Sequence, residues 1–459
     1  MLNPLLVPEL RDYLRTNDVE GIREFCRFCH PASIAEFVSP LVPEEIWKIL
    51  SLADPEIRPE IFAHLDPEVQ MQVTNVIPRQ ELASLITDLP PDDRVDLIKR
   101  MPEERREMLM RLLAHAERED IRRLSSYEEG TAGAVMTSDY AALPPDITVA
   151  EAIQKLRLEA PDKETIYYAY VVDAHRRLLG FVSLKDLILA LSHQTVSDIM
   201  HRDAIFCRVN DDQEEAARII QKYDLLALPV VNEQGQLVGI ITHDDAMDII
   251  TQEQTEDIEK LMAIGGAHLA GAYLRTSVWS HFRNRAVWIV ALAALGLVSG
   301  VIIHSFEETL THMLILALYM PMVADTGGNT GSQSATVVVR ALALREINLR
   351  DTLRVLWKEF RIAILLALVL GVLSWAKVMF LSQGAEIPPG YSLVGIACCI
   401  AFALSLQVVS SALVGAGLPL LATVFKFDPA VVASPALTTV VDITGLVIYF
   451  NTARWVLGL

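Results

Sequence analysis

Residues 321–335 read PMVADTGGNTGSQSA, a polar stretch with three glycines. It follows the apolar run LILALYM, and the apolar run AILLALVLGVLSWA comes after it. In a bilayer, irregular backbone is tolerated only where it is buried in protein or lines a water-filled cavity. We therefore expect Gly327, Gly328 and Gly331 to interrupt or kink a membrane span. Glycines that only let another helix approach closely are the alternative.

The polar side chains near this stretch and near the C-terminus point to a cation. Carbonyls freed by a broken helix, together with Asn329 and Gln333, would be oxygen dipoles suited to a hydrated cation. Asp442 lies in the apolar run PALTTVVDITGLVIYF, which contains no Lys or Arg. A carboxylate inside a membrane is costly and usually faces a pathway. Its partner is either another span or a transported cation, and we favour the cation.

The composition divides the chain into an acidic soluble half and an apolar half. The 459 residues carry a net charge of −19, but from Arg285 onward there are 10 Lys and Arg and 9 Asp and Glu. The first 284 residues therefore carry about −20. A membrane helix needs about 20 apolar residues. Five spans are predicted, within residues 286–303, from 311 into the polar stretch, and within 362–381, 387–425 and 429–450.

The loops between these spans predict the orientation. Basic residues cluster after the second span, at Arg340, Arg345, Arg350, Arg354, Lys358 and Arg361. By the positive-inside rule this loop is cytoplasmic. The N-terminus has no secretory signal, so we expect the soluble half in the cytoplasm and, with five spans, the C-terminus outside.

Two repeats organise the soluble half. Prolines recur about every 12 residues between 43 and 102, most of them followed by Asp or Glu, which is a helix-start pattern. Short helices with buried Leu82, Leu85, Ile86 and Leu89 should stack pairwise into a superhelix. This helical part is either a scaffold or a regulatory surface.

A second repeat aligns residues 168–188 with residues 228–249, with Gly180 matching Gly239 and Asp186 matching Asp245. Each copy reads as helix, strand, turn, strand and helix. The copies resemble paired CBS domains, which commonly bind adenine nucleotides or sense ions. The resemblance implies an ATP site with Asp186 near the ribose, Tyr168 stacked on the base and Lys185 beside them. The same residues also suit a strand end and a helix cap.

The segment HDDAMDIITQEQTEDIEKL, residues 243–261, is strongly acidic. Asp245 and Asp248 are three residues apart, as are Glu253 and Glu256, so each pair shares a helix face. Such pairs repel unless a cation bridges them, and only Lys260 is near. The acidic face can be interpreted either as a solvated surface or as a divalent-cation cluster.

The motif Cys26-Arg-Phe-Cys29-His30 has the spacing of c-type haem attachment. We instead expect reduced thiols, because the segment is predicted to be cytoplasmic.

Taken in order, these parts resemble the MgtE family of magnesium channels, over essentially the whole chain. The resemblance implies a multidomain fold: an all-α superhelical N domain (1–130), α/β tandem CBS domains (131–250, about 136–195 and 198–250), an acidic connecting plug helix (251–282) and a five-span transmembrane bundle (283–459). It implies a homodimer in the cytoplasmic (inner) membrane, in contact with lipid, with one pore between subunits, no enzyme activity and no nucleic-acid partner.

The resemblance also assigns residues. Asp442 would bind hydrated Mg²⁺ in the pore, and Asp428 lies at the cytoplasmic start of the same span. Regulatory Mg²⁺ would bind the acids Glu60, Asp92, Asp96, Glu214, Asp224, Asp245, Asp248, Glu253, Glu256 and Asp257. Bound Mg²⁺ would favour a compact closed state, with the connecting helix blocking the pore. The alternatives are a nucleotide-gated transporter of Co²⁺, Ni²⁺ or Mn²⁺, an anion channel, or a receptor that conducts nothing.

Overall fold

The computed structural model describes residues 7–262, 264, 277–385, 387–432 and 435–458. The chain forms two compact units, residues 1–250 and 251–459, and each is described by itself.

The first unit begins with short helices that stack in two rows. Their bounds are α1 Val7–Thr16, α2 Val19–Phe28, α3 Pro31–Val38, α4 Pro43–Leu52, α5 Ile57–Ala63, α6 Pro67–Val76, α7 Arg79–Asp88, α8 Pro91–Arg100, α9 Glu103–Met110 and α10 His115–Ser125. Helices two places apart along the chain pack on one another. In one row α2 packs on α4, α4 on α6, α6 on α8 and α8 on α10, and in the other α3 packs on α5 and α5 on α7. This confirms the predicted helical stack.

The prolines start these helices as the pattern predicts. Pro43, Pro67 and Pro91 are each the first residue of a helix, where the missing N–H costs no hydrogen bond. The predicted apolar positions of α7 all lie in the core. Arg94 of α8 closes the end of α7, because its guanidinium donates to the carbonyls of Ile86, Thr87 and Leu89 at 2.8 Å.

The rest of the first unit is a pair of similar α/β repeats, as predicted. The first repeat contains β1 Tyr140–Leu143, α11 Val149–Glu159, β2 Thr165–Val172, β3 Leu178–Ser183 and α12 Leu184–Leu189. The second contains α13 Val196–Ile199, β4 Cys207–Arg208, α14 Gln213–Tyr223, β5 Ala227–Val231, β6 Leu237–Thr242 and α15 His243–Leu261. Each sheet has three strands in sequence order, a parallel pair followed by an antiparallel pair.

The aligned glycines occupy equivalent places in the two sheets. Gly180 pairs with Val171, and Gly239 pairs with Val230. A Cβ at Gly180 would overlap the carbonyl oxygen of His201, and a Cβ at Gly239 would lie 2.6 Å from the Sδ atom of Met136. Both positions therefore need glycine because another chain segment crosses the strand there.

The second unit is helical. Its elements after α15 are α16 Val278–Ser305, α17 Glu307–His312, α18 Ile315–Ala343, α19 Thr352–Leu381, α20 Leu393–Val424, α21 Pro429–Val432 and α22 Pro435–Leu457. Within the described residues, four helical segments are long and apolar enough to cross a membrane: 278–305, 349–381, 393–424 and 435–457. Helix α18 has 29 residues but carries the polar stretch, so it is not among them. The fifth span stays a prediction.

One expectation about the polar stretch is wrong. Residues 321–335 do not interrupt the helix, because α18 runs continuously from Ile315 to Ala343. The glycines instead bring α20 against α18. A Cβ at Gly415 would overlap the carbonyl oxygen of Gly331, and a Cβ at Gly327 would lie 2.6 Å from Gln407 Nε2. Backbone contact of this kind stabilises helix pairs in lipid, so the close-packing alternative is the one observed.

The predicted plug segment, residues 251–282, is not one helix in the described residues, because its two ends belong to different helices. Residues up to Leu261 continue α15, and α16 begins at Val278. Residues 263 and 265–276 lie outside the described part of the chain.

Candidate functional site: intramembrane carboxylates and an acidic cleft

Two carboxylates lie close together in the helical unit. Asp442 is half-buried on α22, and the charge of Asp325 on α18 is near enough to interact with it. Among the described residues, neither carboxylate forms an ion pair with Lys, Arg or His. Two like charges without a counter-charge are unfavourable in an apolar surrounding, and a bound cation would offset both. Asp442 was predicted from the sequence, because it is a charge in an apolar run, whereas Asp325 was not singled out.

Asp325 belongs to a polar stripe on α18. Asp325, Asn329 and Gln333 are spaced four residues apart, so they lie on one helix face, and all three are exposed in the single chain. A polar face of this kind is unstable against lipid, but it is stable against water or a second protein surface. The stripe therefore marks either a hydrated path or a contact between copies.

Gln407 of α20 fixes the backbone next to Asp442. Its side chain is wholly buried, and Nε2 donates to the carbonyl oxygen of Val441 at 2.9 Å. Gly327 and Gly445 make room for this amide on either side. Sequence reasoning missed Gln407, although an amide in a charge-free apolar run was visible as a signal.

Asp428 lies just before α21, and its contacts are defined. Asp428 Oδ1 accepts a hydrogen bond from the backbone N–H of Ala430 at 2.8 Å, and Oδ2 lies 3.1 Å from Lys260 Nζ. Lys260 also pairs with Glu256 at 2.8 Å, as the spacing on α15 suggested. Burial lowers the pKa of Lys260, but the hydrogen bonds with Glu256 and Asp428 outweigh the effect of burial and raise the pKa above its usual value.

An acidic cleft lies in the first unit, where the start of α8 faces the start of α15 and the segment before β2. We use this name for Asp92, Asp93, Glu164, Asp244 and Asp245, whose charges interact. Asp92 Oδ1 is buried and has no hydrogen-bond partner among the described residues. A buried carboxylate oxygen without a donor fits a cation.

The pKa values in the cleft are raised. Desolvation, followed by the charge of Asp245, raises the pKa of Asp93 to about 7. Desolvation raises the pKa of Asp245 to about 6, and the charges of Asp244 and Asp248 add to it, against a hydrogen bond from Thr242. Desolvation and the charges of Asp245 and Asp244 raise the pKa of Glu164, at the cleft edge, to about 7. The cleft therefore favours protons or cations over free charges.

The carboxylates do not converge as a direct ligand set. In the described ranges there is no group of three or more His, Cys, Asp or Glu side chains arranged to hold a metal ion. Mg²⁺ usually keeps several waters and binds few protein oxygens directly.

The other predicted metal ligands are spread over the surface. Asp96 is more than half exposed and pairs with Arg100 at 3.4 Å, Glu60 is exposed on α5, and Asp248 is exposed on α15. Glu214 pairs with Arg218, and Asp224 ends α14 in a left-handed conformation. Glu253 and Asp257 lie on α15 in the second unit.

The predicted nucleotide residues lie together at the end of β3. Asp186 Oδ2 accepts hydrogen bonds from the N–H and hydroxyl of Ser183 and lies 3.0 Å from His201 Nε2. The ring of Tyr168 meets Phe181 edge-on at 5.5 Å, and Lys185 is exposed beside them. The helix-cap role of Asp186 is therefore confirmed.

Cys26 is buried among the first helices, and burial raises the pKa of its thiol to about 11. His30 Nδ1 accepts from the backbone N–H of Ala32 and so caps α3.

Helices apolar enough to cross a membrane, two carboxylates that form no ion pair among the described residues, and a soluble unit with a CBS pair are typical of a membrane transporter of cations rather than an enzyme. Residues 320–452 match the MgtE family profile, described as a divalent cation transporter. Residues 29–130 match the MgtE intracellular N domain, and residues 132–193 and 196–252 match CBS domains. The chain belongs to the MgtE family.

Relatives and solved structures agree with this family. The chain is 43% identical over 331 residues to magnesium transporter MgtE of Thermus thermophilus, covering 72% of this chain and 71% of the relative. It is 37% identical over 328 residues to MgtE of Bacillus subtilis, covering 72% and 70%.

Two crystal structures resemble the soluble part of this chain. One is the soluble part of a magnesium transporter, at 30% identity and a TM-score of 0.51, covering 54% of this chain and 97% of that one. The other is the cytosolic domain of the Mg²⁺ channel MgtE in complex with ATP, at 37% identity and a TM-score of 0.50, covering 53% and 100%.

Proposed function

We propose that the protein is a Mg²⁺ channel for magnesium uptake that cytosolic Mg²⁺ closes. The observation that carries this proposal is the pair Asp325 on α18 and Asp442 on α22, two interacting carboxylates with no ion-pair partner among the described residues. Relatives that cover most of this chain are magnesium transporters, which supports Mg²⁺ as the cargo.

Asp442 is the proposed pore site. Mg²⁺ gives up its water reluctantly, so selectivity can rest on recognition of the hydrated ion. The carboxylate of Asp442 would attract the ion, and the stripe of Asp325, Asn329 and Gln333 would offer oxygens to its water shell. Gln407 would hold the backbone of α22 while the ion passes.

The working assembly is proposed to be a homodimer. In a single chain the stripe on α18 is exposed, which lipid does not tolerate. A two-fold axis along the stripe would face the same polar residues of both copies across one hydrated pore. Lipid would then contact the apolar outer faces.

Gating is proposed to act through the acidic cleft. When α8 and α15 are close, their carboxylates repel, and cytosolic Mg²⁺ would offset that repulsion. An ion shifts a conformational equilibrium only by binding one state more tightly, so high cytosolic Mg²⁺ would favour the compact, closed state. The acids of α15 in the second unit, Glu253, Glu256 and Asp257, are proposed as further Mg²⁺ ligands of the sensor.

ATP is proposed as a ligand of the CBS pair. Tyr168, Lys185 and Asp186 supply a ring, a cation and an acid at one strand end. A relative's cytosolic domain was solved in complex with ATP, which supports this assignment. The helix-cap role of Asp186 does not conflict with it, because Oδ1 carries none of the cap hydrogen bonds.

The proposed location is the cytoplasmic membrane, with the soluble domains in the cytoplasm and the C-terminus outside. The basic residues between α18 and α19 support this orientation.

A nucleotide-gated transporter of Co²⁺, Ni²⁺ or Mn²⁺ is the second candidate, since carboxylates bind these ions as well. Flux into proteoliposomes with each ion in turn separates the candidates. We expect Mg²⁺ to enter, and Co²⁺, Ni²⁺ and Mn²⁺ to enter more slowly at equal concentration. Faster entry of another divalent ion favours the second candidate, and no flux of any ion refutes both.

A further inference from the structure

A cavity in the helical domain differs in charge from the rest of the soluble unit. It has a volume of about 580 Å³ and is lined by residues of α8, α9 and α10 and of the turn after α9. Five of its lining side chains are cationic, Lys99, Arg106, Arg111, Arg118 and Arg122, in a chain of net charge −19. Its volume lies within the usual range of small-molecule sites.

Most of these cations form no close ion pair with the described residues, although the charge of Lys99 interacts with Asp96. Glu107 is the one acid in the lining. Arg122 pairs with Glu119 at 2.8 Å, but Lys99, Arg106, Arg111 and Arg118 form no ion pair within the described residues. Unpaired cations that share a cavity repel one another, and a multivalent anion would offset that repulsion.

Helix-end electrostatics explain only part of this set. Lys99 and Arg122 lie in the last turns of α8 and α10, and Arg111 caps α9, so each is stabilised by the negative end of a helix. Arg106 and Arg118 are each the fourth residue of their helices, near the positive end, where the helix dipole disfavours a cation. Both are half-buried. Helix-end electrostatics therefore do not account for these two residues.

The chemistry of the lining indicates the ligand class. Arginine presents a planar fork of donors that matches phosphate oxygens, and several forks around one cavity suit clustered phosphates. Ile98 and Ile121, 2% and 3% exposed, form an apolar floor beneath the cations. The floor can hold the non-phosphate part of a ligand.

We propose that this cavity between α8, α9 and α10 binds a phosphorylated ligand, with Arg106 and Arg118 as its principal contacts. Its residues are separate from Tyr168, Lys185 and Asp186 and from the acidic cleft. The phosphate can come from a soluble polyphosphate compound or from the headgroup of an anionic lipid, because both present the same oxygens.

The test uses the full-length protein in nanodiscs, in Mg²⁺-free buffer of constant ionic strength. Inorganic pyrophosphate is titrated calorimetrically in phosphatidylcholine discs. In a second arm, protection of Arg106 and Arg118 from phenylglyoxal is compared between phosphatidylcholine and phosphatidylglycerol discs. Arg106→Gln/Arg118→Gln is the variant, and Arg11→Gln/Arg23→Gln, at exposed positions of α1 and α2, is the matched control.

We expect saturable binding of pyrophosphate, weakened roughly tenfold or more by Arg106→Gln/Arg118→Gln and unchanged by the control. Selective protection by phosphatidylglycerol without pyrophosphate binding would assign the same site to a lipid. The proposal is overturned if neither probe engages the cavity, or if the control weakens binding as much as the variant does. If the double variant does not fold, the single substitutions Arg106→Gln and Arg118→Gln are compared in the same way.

Discussion

Lys260 Nζ lies 3.1 Å from Asp428 Oδ2, so the last turn of α15 is tied to the residue that precedes α21. Lys260 also pairs with Glu256 at 2.8 Å. Its ammonium group therefore lies between two carboxylates, which are ligands that Mg²⁺ also binds. These three residues all lie in the second unit.

Replacing Lys260 should therefore change gating and leave conduction intact. In Lys260→Met, Glu256 and Asp428 repel each other until a cation bridges them. We therefore expect half-inhibition to need roughly two- to fivefold more cytosolic Mg²⁺. A shift of this size corresponds to the free energy of a partly exposed ion pair. Patch recordings measure both the conductance and the cytosolic Mg²⁺ concentration at half-inhibition. Lys260→Arg, which keeps the charge, should behave like the original protein. An unchanged inhibition curve for Lys260→Met would show that the contact has no part in gating.

The acidic cleft predicts that the soluble unit loses stability as pH rises. Asp93, Asp245 and Glu164 have pKa values of about 7, 6 and 7, against about 4 in an unfolded chain. Between pH 4 and 7 the folded state therefore retains protons that the unfolded state has lost, so the free energy of unfolding falls across this range and levels off above it.

Thermal unfolding of a fragment of residues 1–262 measures this effect, since a similar soluble part has been crystallised alone. Without divalent ions we expect the midpoint to be a few degrees lower at pH 8 than at pH 5, with Mg²⁺ recovering most of the difference at pH 8. Asp93→Asn/Asp245→Asn should flatten the pH dependence. A midpoint that rises from pH 5 to pH 8 in the original fragment would contradict the raised pKa values.

The sensor and the pore should be separable. Neutralising Asp245, Asp248, Glu253, Glu256 and Asp257 changes no residue of the membrane helices, so the channel should still conduct. It should stay open at Mg²⁺ concentrations that close the original protein, and removing several acids should do more than removing one, since each coupling is typically about 1–3 kcal/mol. Recordings with Mg²⁺ varied on the cytoplasmic face decide this. Closure at the original concentration would mean that the acids form only a solvated surface.

The contact of Gly415 with Gly331 should be sensitive to a single methyl group. In Gly415→Ala the new Cβ overlaps the carbonyl oxygen of Gly331, so α18 and α20 must move apart, and overpacking of this kind costs about 1–3 kcal/mol. We expect a lower unfolding temperature in detergent and reduced flux. Gly417→Ala is the matched control, because a Cβ there meets nothing within 4 Å. Equal effects of the two substitutions would refute the packing role.

Local patterns in the sequence predicted much of the fold. The prolines marked helix starts because a first-turn proline loses no hydrogen bond, and the Gly180 and Gly239 repeat predicted two similar sheets. The glycines of α18 led to a wrong prediction of a helix break, because a glycine permits both a broken helix and the close approach of a second helix. The choice depends on α20, whose Gly415 meets Gly331.

The residues of the candidate functional sites were harder to predict from local sequence patterns. Asp442 was predicted because a charge in an apolar run is unusual, but Asp325 lay in a polar stretch already interpreted as a break in a membrane span. The proximity of Asp92 to Asp245 depends on how the helical domain packs on the second CBS repeat, and no local pattern reveals it. The family resemblance pointed to those residues, and Asp93 and Glu164 emerged only from the packing.

The central claim is that a divalent cation passes Asp442. Mg²⁺ uptake into proteoliposomes tests it most directly, comparing the original protein with Asp442→Asn, which removes the charge and keeps the shape. Glu346→Gln, at an exposed acid between α18 and α19, is the control. At equal incorporation, we expect Asp442→Asn to lose at least roughly tenfold in initial uptake, as removal of a pathway charge should. The initial uptake should fall less in Asp325→Asn, and it should be unchanged in Glu346→Gln. Uptake by Asp442→Asn at the rate of the original protein would contradict the account.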